Sequence, residues 1–142
     1  MKLLDVNLLL YAVNKDAPLH VRAKKWLESA LAGSEPVGFS WNVILAFVRI
    51  TTRPGVFRKA LSPDQAFELV EAWLEEPAAR IVNAGPRHLE ILRRLIGPLG
   101  TAGNLTSDAH LAALAIEQNA RLYSCDRDFG RFGDVEWQHP LE

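Results

Sequence analysis

Short runs rich in apolar residues recur along the chain and predict strands, of which the first two are expected to be buried in a sheet. The first is the apolar start of KLLDVNLLLYAV, and Asp5 falls at its carboxyl end. Glycine, proline and polar residues separate this run from the later ones, as expected for strand boundaries. The other predicted strands are VGFS at 37–40, RIVNA at 80–84, RLYS at 121–124 and a last short one, VEW, at 135–137.

Helical periodicity fills the segments between these strands. In SPDQAFELVEAWLEE, Ser62 predicts an N-cap, Pro63 suits the first helical position and Gln65 completes a capping box. WNVILAFVRI is apolar nearly all round, which predicts a central, buried helix preceded by Ser40 as its cap. The other predicted helices are DAPLHVRAKKWLESAL, GPRHLEILRRLIGP and SDAHLAALAIEQNA, the last beginning at Thr106 or Ser107.

Alternation of strands with helices predicts an α/β fold with a mostly parallel sheet and helices on both faces. We find no internal repeat, low-complexity tract or linker, and a chain of 142 residues suits one domain spanning 1–142. In such a sheet the ligand site lies beyond the carboxyl ends of the strands.

The composition of the chain limits its possible partners and its expected compartment. Hydrophobic residues make up 49% of the chain and its formal net charge is −1, so no general positive field attracts nucleic acid, and an RNA partner must meet a local patch. The single cysteine, Cys125, forms no internal disulfide. No signal peptide is recognisable and the apolar runs are too short to cross a membrane, so we expect a cytoplasmic protein without a membrane partner.

Four aspartates stand where the predicted fold would gather them. Asp5 ends the first strand, Asp126 and Asp128 follow the strand at 121–124, and Asp108 lies in the first turn of the helix between them. Carboxylates crowded into one cleft repel each other unless a cation neutralises them. Oxygen-only ligands suit Mg²⁺ or Mn²⁺, which can polarise a phosphoryl oxygen and activate water for phosphodiester hydrolysis.

Each aspartate also has an ordinary structural interpretation. Asp5 can cap the following turn, Asp108 favours a helix amino terminus by its charge, and Asp126 with Asp128 can form Asx turns. For any one of them alone, that interpretation is the better one. The joint placement of all four favours a metal site.

Two blocks of this sequence together resemble the PIN-domain ribonucleases, in particular the VapC toxins of toxin-antitoxin pairs. They are LLDVNLLLYA and DAHLAALAIEQNARLYSCDRDF, and the resemblance spans nearly the whole chain. It implies a three-layer α/β/α fold with a central, mostly parallel sheet of four to five strands. It also implies Asp5, Asp108 and Asp126 as metal ligands, Asp128 as a further catalytic acid, and Asn7 and Ser124 as supporting residues.

One position departs from the family pattern. The family usually carries a glutamate in the helix after its second strand, shortly before an arginine, and Phe47 stands roughly there, followed by Arg49. Phenylalanine cannot bind a metal ion, so the ion has fewer carboxylates here or takes another acid from elsewhere. The sequence of this helix resembles that of one branch of VapC proteins, in which the same replacement of the glutamate recurs.

Arginine recognises phosphate in a bidentate manner, so Arg49, Arg53 and Arg127 are candidate RNA-binding residues. Arg58 and Lys59 are better explained as solvated charges. The four histidines lack metal-site spacing and receive no catalytic role. Cys125 precedes an acid pair that raises its pKa, which argues against a thiolate nucleophile.

These features lead to a first hypothesis, a metal-dependent endoribonuclease toxin that uses Mg²⁺ or Mn²⁺. From the resemblance we expect transfer or ribosomal RNA as substrate, a small VapB-like antitoxin as partner, and a homodimer. An alternative is a PIN-like module with lost or weak catalysis that acts by binding RNA or protein, motivated by Phe47. A phosphoacceptor signalling domain is disfavoured, because no middle strand ends in an aspartate and the only strand-end lysine, Lys2, is at the wrong end.

Overall fold

A computed structural model describes all 142 residues, and strands alternate with helices along its length. Three short 3-10 turns, at 97–99, 103–105 and 127–131, complete the regular structure. The strands are β1 (Lys2–Leu4), β2 (Val37–Ser40), β3 (Ala79–Val82), β4 (Arg121–Tyr123) and β5 (Trp137–Gln138). The helices are α1 (Val6–Val13), α2 (His20–Ala32), α3 (Trp41–Thr52), α4 (Pro63–Glu75), α5 (His88–Ile96) and α6 (Thr106–Glu117).

The five strands form one sheet in the order β3-β2-β1-β4-β5, and every neighbouring pair is parallel. β1 is therefore central, with Lys2 opposite Val37 of β2 and Arg121 of β4. Because all strands point the same way, their carboxyl ends meet at one edge of the sheet. The residues after β1 and after β4 consequently lie side by side.

The sheet and the six helices enclose one hydrophobic core. Leu3 and Leu4 of β1 are fully buried, as expected for a strand covered on both faces. Small side chains on α6, including Ala109 and Ala112, are fully buried, which lets this helix lie close to its neighbours. This architecture confirms the predicted α/β/α fold with a parallel central sheet of five strands.

Two local signals correctly predicted helix starts. Ser62 accepts a hydrogen bond from Gln65 N at 3.2 Å, and the Gln65 side chain accepts one from Ser62 N at 2.9 Å, which completes the capping box of α4. Ser40 Oγ caps α3 by accepting a hydrogen bond from Val43 N. Both motifs satisfy backbone N–H groups that helix geometry leaves without partners.

The apolar run after Asp5 is helix α1, whose amino terminus the Asp5 carboxylate caps at Val6 N. Two sequence predictions need correction. The last strand is Trp137–Gln138 instead of 135–137, paired with β4. The helix of WNVILAFVRI is not buried all round, since Trp41 is 52% and Leu45 61% exposed on a side that no other element covers. No helix combines the length and apolarity that a membrane crossing requires.

Candidate metal centre

The four aspartates are placed by the ends of two adjacent strands and by one helix. Asp5 follows β1 directly and caps α1, and its backbone N–H bonds the Tyr123 carbonyl of β4 at 3.0 Å. Asp126 follows β4 and caps the turn at 127–131, which contains Asp128. Asp108 lies in the first turn of α6. All four therefore lie at the carboxyl edge of the sheet.

Three of these carboxylates converge. One oxygen from each of Asp108, Asp126 and Asp128 lies within 4.8 Å of the other two, a separation that one cation can bridge. Asp5 is outside this trio, but it lines one cavity with Asp108, and the cavity has a volume of about 400 Å³. Asp5, Asp108 and Asp126 are partly buried, whereas Asp128 is exposed.

The Asp5 carboxylate is held by donors of the protein itself. Its Oδ1 accepts a hydrogen bond from Val6 N at 2.7 Å. Its Oδ2 accepts one from Ser124 Oγ at 2.6 Å and one from Asn7 Nδ2 at 3.2 Å. A carboxylate oxygen has two lone pairs, so Asp5 is oriented by the protein and retains capacity for a further partner.

Asn7 and Ser124 tie the two strand ends together. Asn7 Nδ2 donates to Ser124 Oγ at 3.1 Å, and Asn7 Oδ1 accepts from Cys125 N at 3.3 Å. Ser124, which is fully buried, also accepts from Asp126 N at 2.9 Å. Asn7 and Ser124 therefore link the Asp5 carboxylate to the backbone at Cys125 and Asp126 by hydrogen bonds.

Burial and mutual repulsion raise the pKa values of Asp5 and Asp108, and a bound cation would lower them again. Burial, followed by the charges of Asp5, Asp126 and Asp128, raises the pKa of Asp108 to about 6. Burial also raises the pKa of Asp5, against the opposing effect of its hydrogen bonds from Ser124 and Val6. The pKa of Cys125 is raised to about 11 by burial and by Asp5, which disfavours a thiolate nucleophile.

The raised pKa of Asp108 has a testable effect on stability. An unfolded aspartate titrates near pH ~3.9, so between that pH and about 6 the folded state binds more protons than the unfolded state. The free energy of unfolding of the metal-free protein should therefore fall as pH rises through this window. Asp108→Asn does not titrate there and should lose less stability. Urea unfolding in a chelator at several pH values measures both slopes; equal slopes would contradict this.

The predicted RNA-binding arginines have different surroundings. Arg49 is exposed, lines the cavity that contains Asp5 and Asp108, and forms no ion pair with the protein. Arg53 is exposed at the end of α3, outside the cavity lining. Arg127 is exposed and paired with Glu142. Of the three, only Arg49 lines the cavity that contains Asp5 and Asp108.

Phe47 does not face the acidic cluster. It is fully buried, and its ring packs edge-on against Trp73 of α4 with centroids 5.1 Å apart. The neighbouring residue, Ala46, lines the cavity with Asp5 and Asp108. A carboxylate at position 47 would therefore enter the core, whereas one at position 46 would enter the cavity.

A half-buried polar network between α5 and α6 has no signal in the sequence. Glu117 Oε1 lies 2.5 Å from His88 Nδ1, and His88 Nε2 lies 2.8 Å from His110 Nδ1. Glu117 Oε2 also accepts from Gly85 N at 2.9 Å, so closely that a Cβ at Gly85 would meet it at 2.5 Å. The network joins the start of α5 to α6, through His110 in its first half and Glu117 at its carboxyl end. These contacts join residues 22 and 29 positions apart in the sequence, so no local pattern predicts them.

Comparison with known proteins supplies the family. The PIN domain family matches residues 2–135. The chain is a PIN-domain protein of the VapC family. It is 47% identical over 140 residues to Ribonuclease VapC37 of Mycobacterium tuberculosis, covering 99% of this chain and 97% of that protein. It is 42% identical over 137 residues to Ribonuclease VapC33 of the same species, covering 96% of each.

Solved VapC-family structures share the fold of this chain. A VapBC-1 structure from nontypeable Haemophilus influenzae matches with a TM-score of 0.68 at 18% identity, over 99% of this chain and 98% of that one. Mycobacterium tuberculosis VapC20, described as a sarcin-ricin loop cleaving toxin, matches with a TM-score of 0.65 at 19% identity, over 96% and 98%. At such identities the likeness concerns the fold, and it agrees with the α/β/α architecture.

Proposed function

We propose that this VapC-family chain is the toxic endoribonuclease of a toxin-antitoxin pair and that it hydrolyses RNA with Mg²⁺ or Mn²⁺. The observation that carries this proposal is the convergence of Asp108, Asp126 and Asp128 to within 4.8 Å. Its close relatives VapC37 and VapC33 are named as ribonucleases and cover nearly the whole chain. Catalysis is assigned to these three acids together with Asp5.

The residues present fit a divalent cation. Three carboxylates converge, of which only Asp128 has an arginine partner, Arg131 at 3.8 Å. Burial and then the charges of Asp5, Asp126 and Asp128 raise the pKa of Asp108, and a cation would offset these charges. In this proposal Asp5 and Asp108, which line one cavity, hold the cation, and Asp126 or Asp128 completes its protein ligands. When bound, the cation would polarise the phosphoryl oxygen and lower the pKa of the attacking water.

The protein side chains have separate tasks in this scheme. Ser124 and Asn7 orient Asp5 through hydrogen bonds of 2.6 and 3.2 Å, which keeps its carboxylate directed at the cleft. Arg49 lines the same cavity and forms no ion pair in the protein, so it is available to a phosphate of the RNA backbone. Arg53 and Arg127 are proposed as more distant contacts with the RNA strand.

Partners follow from the same family. Solved relatives are described as VapBC complexes, among them VapBC2 of Rickettsia felis, so we propose a VapB-like antitoxin for this chain. A homodimer and a cytoplasmic location complete the proposal, with transfer or ribosomal RNA as the substrate class. Exposed apolar residues on α3, Trp41 and Leu45, are compatible with a covering partner.

The proposal is tested by RNA cleavage with purified protein. Total cellular RNA should be cut at few positions in Mg²⁺ or Mn²⁺, cleavage should stop in EDTA, and it should return when the metal is restored in excess. A protein that binds RNA with the same affinity in EDTA and in Mn²⁺, and cuts none, would instead support a binding module with lost catalysis.

A further inference from the structure

Charged residues are distributed unevenly along the chain. The 28 residues from 36 to 63 contain four basic residues and no acidic one, so 12 of the 16 basic and all 17 acidic residues lie elsewhere. This stretch therefore carries a charge of +4, and the rest of the chain carries −5. Such a local concentration of positive charge is what RNA binding by a chain without a general positive field requires. All four basic side chains are exposed, and we call them the basic row: Arg49, Arg53, Arg58 and Lys59.

The basic row begins in the cavity that contains the acids. Arg49 lines this cavity with Asp5 and Asp108. Arg53 follows four residues later, at the end of α3, about 6 Å further along the helix axis and on the same side of the helix. The other two members lie in the loop between α3 and α4, at 53–62. The row thus leads from the proposed cation site along α3 and into this loop.

The loop at 53–62 has a defined shape. A hydrogen bond of 2.9 Å from Leu61 N to the Thr51 carbonyl closes its base. Pro54 and Phe57 form an isolated backbone bridge, and Phe57 is half-buried. Gly55 between them has a φ of 92°, a left-handed conformation that glycine adopts without strain. The loop therefore holds its charges near the end of α3.

The cations of the row are available to a ligand. Arg49, Arg53 and Lys59 form no ion pair within the protein. Arg58 pairs with Asp16 at 3.6 Å, but its side chain is 85% exposed, so this pair is weak. Taken singly, Arg58 and Lys59 are solvated charges. Like charges grouped in one segment repel each other, however, so a polyanionic ligand explains their grouping better than the stability of the fold does.

We propose that the basic row binds phosphates of the RNA strand on one side of the cut, so that this chain binds its substrate through a flank on that side. This inference rests on the proposed ribonuclease function. A phosphate held at the acids lies at the cavity end of the row, and a strand that leaves the cavity along α3 brings its next phosphates to Arg53 and the loop. Contacts of this kind position the strand without reading its sequence.

The composition of the loop favours RNA over a protein partner. Val56, at 40%, is the only large apolar side chain that is exposed in the loop at 53–62. The centre of a protein interface is apolar and depleted in charged residues. Phosphates instead require exposed cations, and arginine binds them in a bidentate manner.

The test removes two cations from the loop by combining Arg58→Gln with Lys59→Gln. In EDTA at low salt, wild-type protein should bind a single-stranded RNA oligonucleotide that contains one cleavage site. The slope of log affinity against log salt should be about 1.4 smaller in magnitude for the variant, because each phosphate contact contributes about 0.7 in single strands. In Mn²⁺ the variant should raise KM about tenfold and keep kcat within about twofold, since both residues lie outside the cavity.

The matched control combines Arg93→Gln with Arg94→Gln on α5. These two arginines are also adjacent and exposed, and Arg94 pairs with Asp134 at 3.5 Å much as Arg58 pairs with Asp16. They lie outside the cavity lining and outside the basic row. Because the control removes the same charge from another surface, its salt slope and KM should stay near those of wild type.

Shortening the oligonucleotide from each end in turn tests the one-sided flank. Removal of the flank on one side of the cut should weaken binding by wild-type protein about tenfold, and removal of the other flank should weaken it less than twofold. The variant that lacks the cations of Arg58 and Lys59 should lose this asymmetry.

The outcomes separate this inference from the function on which it rests. If wild-type protein binds RNA with the expected slopes but cuts none in Mn²⁺, the ribonuclease proposal fails and the RNA contact stands. If it cuts RNA but the loop variant and the control have equal slopes and KM values, the inference alone is overturned. A loop variant with reduced kcat and unchanged KM, or wild-type protein that binds no RNA in EDTA at low salt, also overturns it.

Discussion

Replacing Asp108 by asparagine is expected to reduce RNA cleavage by about 100-fold or more. Asp108 belongs to the converging trio and also lines the cavity shared with Asp5, so its removal takes a charge from the centre of the site. Even outer-shell changes around metal ions typically cost 10- to 100-fold, and a direct ligand should cost at least as much. Initial rates on one RNA substrate in Mn²⁺ measure the effect.

The control for this substitution is Asp16→Asn. Asp16 is exposed and paired with Arg58 at 3.6 Å, outside the cavity that contains Asp108. Its replacement should leave cleavage within about twofold of wild type, because exposed ion pairs contribute little. Comparable losses in the two variants, or full activity in Asp108→Asn, would remove Asp108 from the catalytic site.

Glutamate substitutions at two adjacent positions of α3 should have opposite effects. Phe47→Glu places a carboxylate in the core and removes a ring packed against Trp73, so we expect the protein to lose at least about 3 to 5 kcal/mol of stability or to unfold. Ala46→Glu places a carboxylate in the cavity with Asp5 and Asp108, and it should tighten Mn²⁺ binding by about tenfold.

Ala46→Gln is the matched control, because it has the same size without the charge. It should fold as Ala46→Glu does and leave Mn²⁺ affinity near that of wild type. Urea unfolding and Mn²⁺ titration on all three variants separate the two positions. A folded Phe47→Glu protein with tighter Mn²⁺ binding would show that position 47 reaches the metal site after all.

Much of the site's location was predictable, because it depends on sheet geometry. Once the strands are parallel, Asp5 and Asp126 must emerge at the same edge, and a helix start that packs on the sheet brings Asp108 towards them. Caps are local signals, so Ser62 and Ser40 also predicted their helix starts correctly. The roles of the individual acids in metal binding stay predictions.

Other features of the structure could not be predicted from the sequence, and the reasons are physical. An apolar run such as Val6–Val13 suits a buried strand or a buried helix, and the cap at Asp5 decides for the helix. The orientation of Phe47 depends on its contact with Trp73, and a shift of one residue turns a helical side chain by about 100°. Glu117 and His88 meet across 29 residues of sequence, which no local pattern records.

The most direct test of the central claim is calorimetric titration of Mn²⁺ into the wild-type protein and into Asp108→Asn at neutral pH. If the converging aspartates form a cation site, wild type should bind Mn²⁺ with a measurable heat, and Asp108→Asn should lose this heat while remaining folded. Indistinguishable binding by the two proteins, or no binding by wild type at millimolar Mn²⁺, would contradict the account.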